Sequence, residues 1–376
     1  MITAAAKFTL NRSANLVLSF LFVALLWVPT LDTVFHIDHA AVLNEKRLMT
    51  PLPQLKYCGG GFKDYLTKLE ACFNDHFGCR QRLIHWHNQW NYLLFRDTTG
   101  HKVMLGANNW LFYTEDDMEE HYRGLRRFSP QDLTEWQRLL EHRRDWLEER
   151  GIKYLFVVAP DKQTIYGEQL PDWLKKEHHG ETKLDQFLAH MRAHSTVKVL
   201  DLRPALKNEC RFAPTYFRTD THWNLFGGFV ACEEMARCLC EELPGVEPLS
   251  LNSFEVKDKL DRGGDLVDML GLDGREVTEE NAVCLTPKSR LPALETSGTI
   301  TRNRAGKGGA IVYHDSFGQA LKPFLGYHFG SVNYRQQQNL DAELAASGTT
   351  VVISEMVERK FNVLSPSKLM SEDALK

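Results

Sequence analysis

The sequence predicts an α/β fold: a parallel sheet with helices on both faces, preceded by an N-terminal transmembrane helix. Three observations carry this expectation. Continuous apolar runs of strand length alternate with segments of helical periodicity, the pattern of a sheet covered on both faces. Residues 14–31, ANLVLSFLFVALLWVPTL, hold no charge and approach the ~20 residues a helix needs to cross a bilayer. The chain has 376 residues and 43% apolar content, enough for one large or two ordinary domains with a sizeable core.

From the N-terminus, Lys7 and Arg12 precede the apolar stretch and Asp32 follows it. A basic flank stays in the cytoplasm, so the remainder is expected to be exported to the periplasm. An uncleaved inner-membrane anchor and a signal peptide cut near Ala40-Ala41 both fit the segment, and a buried core helix is the plain alternative. The expected division is a cytoplasmic tip and anchor or signal at 1–31, a linker at 32–60, a main domain at 61–365 and a tail at 366–376. Residues 62–96 read as helical. Their Trp86 and Trp90 are expected in a core rather than as a sugar platform.

Residues 103–113, VMLGANNWLFY, read as a short hairpin turning at Asn108-Asn109. Ser129-Pro130 is an N-cap and first-turn pair, followed by Leu133, Trp136, Leu139, Leu140 and Leu147 at helical spacing and closed by Gly151. Residues 154–160, YLFVVAP, form a strand-like run. Helix 184–194, strand 197–202 and helix 223–243 follow. Residues 310–313 and 349–354 are two more strands. Residues 245–308 are less regular and read as insertions around a site.

The net charge of −4 offers no basic excess for nucleic-acid binding. The eight cysteines are Cys58, Cys72, Cys79, Cys210, Cys232, Cys238, Cys240 and Cys284, and none forms a C-x-x-C pair. A zinc or thioredoxin-type site is therefore not expected, and neither is a cofactor. An oxidising compartment would allow some to pair, but the connectivity does not follow from the sequence.

Two clusters can do chemistry. The first is Arg218-Thr219-Asp220-Thr221-His222-Trp223-Asn224, between a strand and a helix. In an extended loop the Asp220 carboxylate can bond His222 Nδ1 and leave Nε2 free as a base. Alternatively, Asp220 caps the next helix and His222 is a surface residue. The second cluster is Ile311-Val312-Tyr313-His314-Asp315-Ser316-Phe317-Gly318. A serine at a strand-to-helix turn sits beside backbone N–H groups suited to an oxyanion. Alternatively, Ser316 is only an N-cap. A serine hydroxyl needs a base to be a nucleophile, so each cluster strengthens the other.

The motifs TDTHWN at 219–224 and DSFG at 315–318 resemble the signatures of the alginate O-acetyltransferases AlgJ and AlgX, an SGNH-hydrolase-like family. NDHFGCR at 74–80, GANNWLFY at 106–113, GGDLVDML at 263–270 and EMVERKF at 355–361 agree with it. The resemblance covers about residues 42–362. It implies an SGNH-hydrolase-like fold with circularly permuted motif order, in which Ser316 is the nucleophile, His222 the base and Asp220 its orienting carboxylate. The chain ends soon after the last motif, so it is closer to AlgJ, with no carbohydrate-binding module expected.

One departure is His314, where SGNH proteins usually have glycine before Asp-Ser. The implied activity is acetyl transfer to hydroxyls of an exported polysaccharide, alginate-like or another exopolysaccharide. The implied partner is a membrane acyltransferase that supplies acetyl groups. A deacetylating esterase and a non-catalytic binding or assembly factor are the competing readings. Lys162, Tyr166 and Arg359 are candidate substrate-binding residues, being expected at the same sheet edge. Asp265 is a candidate for ordering the loop and Asp315 for capping the turn. His178-His179 reads as a solvated loop.

Overall fold

The computed structural model describes residues 3–38, 49–54, 61–96, 98, 102–177, 180–341 and 348–375. Ala40-Ala41, Cys58, His178-His179 and much of the 32–60 linker lie outside them. The chain forms two compact units, Met1–Thr98 with Asp268–Leu272, and Thr99–Val267 with Asp273–Lys376.

The first unit contains α1 (Thr3–Phe35), α2 (Gly61–His76) and α3 (Arg80–Trp90). Within α1, Ala14–Phe35 has 22 residues and a mean hydropathy of 2.1, long and apolar enough to cross a membrane. This is compatible with an anchor or a signal. At its C-terminal end the Asp32 carboxylate accepts the N–H groups of Asp38 (2.5 Å) and Cys79 (2.6 Å). Gly78 packs against α1 so closely that a Cβ would stand 2.2 Å from the Pro29 carbonyl oxygen. Trp86 and Trp90 are 50% and 57% exposed, which corrects the core expectation. Among the described residues this unit has no sheet to bury that helical face.

The second unit begins with β1 (Val103–Leu105) and β2 (Leu111–Tyr113), the expected hairpin. Asn108 and Asn109 turn it with φ of 51° and 62°, a conformation asparagine tolerates. Next come α4 (Met118–Tyr122), α5 (Pro130–Glu148), β3 (Lys153–Ala159), α6 (Lys162–Ile165), α7 (Asp172–Lys175), α8 (Lys183–His194), β4 (Val199–Asp201), α9 (Arg203–Glu209) and α10 (Leu225–Leu239). The rest is β5 (Phe254–Arg262), α11 (Asp265–Met269), β6 (Thr278–Pro287), β7 (Glu295–Ser297), β8 (Ile300–Arg302), β9 (Gly309–Tyr313), α12 (Lys322–Leu325), β10 (Ser331–Arg335), β11 (Thr349–Val357) and α13 (Pro366–Glu372). The sheet order is β4-β3-β11-β9-β10-β8-β7. The first five strands are mutually parallel, and β8 and β7 extend the edge antiparallel.

Strand alternation sorts side chains onto two cores. Leu155, Val157 and Ala159 of β3 face one core, with Phe226 and Phe229 of α10. Tyr154, Phe156 and Val158 face the other, with Trp136, Leu139 and Leu140 of α5 and Phe187 of α8. The α5 N-terminus is a capping box: the Ser129 side chain accepts the Asp132 N–H, and the Asp132 carboxylate accepts the Ser129 N–H. After residue 365, α13 packs on α5, and the buried Arg143 guanidinium grips Asp373 through two N–H groups at 2.7 and 2.9 Å.

Two differences from expectation stand out. Residues 254–287 include the long antiparallel hairpin of β5 and β6 rather than irregular insertions. Every β5 residue after Phe254 is exposed, so its sequence shows no buried alternation. The segment after Asp315 opens as a 3₁₀ turn, Ser316–Leu321, and Pro323, which has no N–H, lies in the first turn of α12. Among the described residues, all seven cysteines are free.

Candidate active site

Residues 217–222 form a loop closed at its base, where Tyr216 pairs with Trp223 and the Phe217 N–H donates to the His222 carbonyl (3.2 Å). Asn224, not Asp220, caps α10: its side chain accepts the Gly227 N–H at 3.0 Å. Asp220 is thereby free to hold the imidazole. His222 Nδ1 lies 2.6 Å from Asp220 Oδ1, and the His222 N–H donates to the same oxygen at 3.0 Å. The second oxygen accepts the Asp265 N–H at 2.9 Å. Burial works to raise the Asp220 pKa, but these hydrogen bonds and the imidazole outweigh it and bring it to about 2.

Ser316 follows the buried strand β9 and is exposed. Its Oγ lies 2.8 Å from His222 Nε2, although the two residues are 94 apart in sequence. Asp315 shapes the turn: Oδ1 accepts the Phe317 N–H (2.9 Å) and Oδ2 the Val357 N–H (2.8 Å). The Trp223 indole N–H donates to the Phe317 carbonyl at 2.9 Å, fastening the histidine loop to the serine turn. His314 does not crowd the nucleophile position. It is buried, its Nδ1 lies 2.5 Å from the Asp315 carbonyl oxygen, and it sits edge-on to Tyr334. Glycine at 318 makes this possible, because a Cβ there would stand 2.4 Å from the His314 ring. Beneath the turn, the fully buried Glu355 accepts the Asp315 N–H at 3.2 Å, and burial pushes its pKa well up.

Asp265, of the GGDL stretch, orders the loop. Its carboxylate takes the Thr221 N–H and hydroxyl, each at 2.8 Å. Burial and the neighbouring Asp220 charge raise its pKa. Gly264 allows Asp265 to reach so far in, since a Cβ there would lie 2.4 Å from that of Asp220. Glu279, on β6, is a support the sequence reading missed. It accepts the N–H groups of Arg218 (2.9 Å) and Thr219 (2.7 Å) and the Thr219 hydroxyl (2.5 Å). Some 60 residues separate the partners, and no local motif links them.

Lys162, Tyr166 and Arg359 do follow strand ends, but their polar atoms are engaged by the protein. Lys162 is buried and its Nζ contacts the carbonyl oxygens of Phe217, Arg218 and Asp220. The Tyr166 hydroxyl accepts the Thr215 N–H at 2.8 Å, and its ring stacks on Trp110 at 4.2 Å. Tyr166 also lines a cavity of about 720 Å³, shared with Gln163, Glu168, Arg203 and Lys207. Arg359 pairs with Asp161 at 2.5 Å and lies over the Phe317 ring at 5.2 Å, next to Ser316.

Asp220, His222 and Asp265 bring three potential metal-ligand atoms within 4.8 Å of one another. Each is already committed: Nδ1 to Asp220, Nε2 to the Ser316 hydroxyl, and Asp265 to Thr221. The arrangement suits a hydroxyl that gives its proton to an imidazole oriented by an ionised carboxylate.

A family model described as the SGNH hydrolase-like domain of acetyltransferase AlgX matches residues 103–299. The chain belongs to that family. The match takes in Asp220 and His222 and ends before Ser316. Curated relatives of this AlgX-family chain include a probable alginate O-acetylase AlgJ of Azotobacter vinelandii. It is 29% identical over 178 residues, covering 46% of this chain and 42% of the relative. The AlgJ relative of Pseudomonas syringae pv. tomato is 28% identical over 142 residues, 38% of this chain and 34% of that one. The chain thus spans about two fifths or less of the length of these relatives. Bacillus cereus PatB1, solved with a sulfonyl adduct, shares the fold. It has a TM-score of 0.54 at 13% identity, covering 74% of this chain and all of that one.

Proposed function

We propose that this AlgX-family chain is an exported, membrane-tethered serine O-acyltransferase that acetylates hydroxyls of an exported polysaccharide. The observation that carries the reading is the continuous relay Asp220–His222–Ser316, with links of 2.6 and 2.8 Å. Family membership supports the acetyl chemistry, and the apolar α1 supports the tether.

Asp220 holds the Nδ1–H, which leaves the Nε2 lone pair facing the Ser316 hydroxyl. Ser316 Oγ attacks the carbonyl carbon of an acetyl donor while Nε2 takes the hydroxyl proton. The Phe317 N–H is spent on Asp315, so this scheme assigns the Ser316 N–H to the developing oxyanion. Collapse expels the donor's leaving group, which takes the proton from the imidazolium, and leaves acetyl-Ser316. A sugar hydroxyl then gives its proton to Nε2 and attacks the acetyl carbon. The second collapse regenerates Ser316. Water in place of the sugar gives hydrolysis, so acceptor binding decides the outcome. The polar cavity beside Tyr166 is the space we assign to a polymer segment, and Arg359, over the Phe317 ring, is a cation beside the nucleophile turn. The acetyl donor is a membrane acyltransferase in this scheme, which suits a protein held at the membrane.

The test is the full-length protein in detergent with an aryl acetate donor, with and without an oligouronate or other exopolysaccharide fragment. Transfer predicts acetylated oligosaccharide by mass spectrometry and a drop in free acetate when acceptor is added. Acetate alone at every acceptor concentration would make the chain an esterase. Equal cellular polymer acetylation by Ser316→Ala would make it a binding factor.

A further inference from the structure

Residues 217–222 carry the acid–base pair on backbone outside any strand or helix, so its polar groups need partners elsewhere. The amide side is served by anions. Glu279 takes the N–H groups of Arg218 and Thr219, Asp265 that of Thr221, and Asp220 that of His222. On the carbonyl side three oxygens converge on one cation, and the Arg218 oxygen also accepts the Leu111 N–H at 3.0 Å. Lys162 Nζ lies 3.3 Å from the oxygen of Phe217, 3.2 Å from that of Arg218 and 2.7 Å from that of Asp220. An ammonium has three donors and no acceptor, and three carbonyls receive them.

Lys162 is only 2% exposed, and Nζ sits over the rings of Trp110 (5.6 Å) and Phe112 (5.3 Å). Among the described residues it has no salt bridge, so the ammonium is held by carbonyl dipoles. Loss of one proton removes the charge that the three carbonyl dipoles hold and turns a nitrogen lone pair toward one of their oxygens, which it repels.

We propose that Lys162 is a positioning residue whose protonated ammonium, through three main-chain carbonyls, fixes the loop that aims Asp220 and His222 at Ser316. Deprotonation relaxes the loop and slows acyl transfer. The inference rests on the Ser316–His222–Asp220 reading above and adds the device that holds it in register.

The charged groups facing Lys162 are Asp220 on the loop, Glu279 on β6 and Asp265 on α11, and the Asp161–Arg359 pair adjoins it. Burial pushes the Lys162 pKa down, against the pull of Asp220, Glu279 and Asp265, to about 7. Ammonium and amine are thus both populated near neutral pH. The sign distinguishes this from a plain structural role. Between about 7 and the ordinary lysine value of 10.5, the unfolded chain binds more protons than the folded one. Stability from this group therefore rises with pH while activity falls.

The experiment measures kcat/KM for aryl acetate turnover by the full-length protein from pH 5 to 10, with melting temperature at each pH. It compares wild type, Lys162→Met, Lys162→Arg and Ser316→Ala. Wild type is expected to lose on the order of 10-fold or more between about pH 7 and 9, with no parallel fall in melting temperature. Lys162→Met should be lower at every pH, on the order of 100-fold for a misplacement of about 1 Å, and should lack the alkaline fall. Lys162→Arg keeps its protons, so it should regain part of the activity and also lose the fall. A flat wild-type profile from pH 7 to 9, or Lys162→Met with wild-type kcat/KM, overturns the proposal. If Lys162→Met does not fold, the wild-type and Lys162→Arg profiles decide. An active Ser316→Ala overturns the relay itself. An inactive Ser316→Ala beside a flat wild-type profile overturns only the role of Lys162.

Discussion

At the residue scale, the relay depends on one carboxylate staying ionised. Hydrogen bonds hold Asp220 near 2, below its ordinary 3.8, so it is charged throughout the working range. A depressed carboxylate contributes stability that is present above about pH 4 and lost as pH falls toward 2. Asp220→Asn should lower kcat/KM on the order of 10²–10⁴-fold while raising KM little, because it disturbs a proton transfer rather than binding. Its stability should also depend less on pH between about 4 and 2 than that of wild type. Steady-state kinetics and acid titration of tryptophan fluorescence check both parts.

The Asp-x-His spacing and the serine after an apolar strand each had a plain capping alternative in the sequence, and only the two clusters together with the family resemblance pointed to a triad. Glu279, Glu355 and the inward-facing Lys162 were not legible. Each acts on backbone far away in sequence, and a charged side chain in a loop segment reads as solvated until the fold shows what covers it.

At the element scale, the serine turn and the histidine loop meet because α10 lies against residues 316–321. Gly228 sits at that crossing, where a Cβ would stand 2.5 Å from the Ala320 carbonyl oxygen. Gly228→Ala should cost about 1–3 kcal/mol of stability by overpacking and reduce activity along with it. Ser129→Ala is the control. It removes a cap remote from the relay and should cost about 1 kcal/mol while leaving kcat/KM unchanged. Chemical denaturation beside an esterase assay separates the two cases.

The buried parallel strands were readable because both faces are apolar, as in YLFVVA of β3. β5 was not, because FEVKDKLDR exposes all but its first residue and carries no burial period. The 3₁₀ turn after Asp315 was read as an ordinary helix, since its apolar spacing alone does not separate the two.

At the scale of the whole molecule, the proposed export and supply of acetyl groups require residues beyond α1 to stay near the membrane. Leu21 and Leu25 are exposed along the apolar stretch of α1. Arginine at both positions should cost about 2.5–3.5 kcal/mol each in insertion. The double variant L21R/L25R should shift from the membrane pellet to the soluble fraction after carbonate extraction. Retention in the pellet would remove α1 as the tether.

The central claim is that Ser316, deprotonated by His222, takes up the acyl group. Its most direct test is intact-mass and peptide mass spectrometry after exposure to an aryl acetate or a sulfonyl fluoride. The account predicts one adduct on the peptide containing Ser316, absent in Ser316→Ala and strongly slowed in His222→Ala. Modification at another residue, or an unchanged rate in His222→Ala, would contradict it.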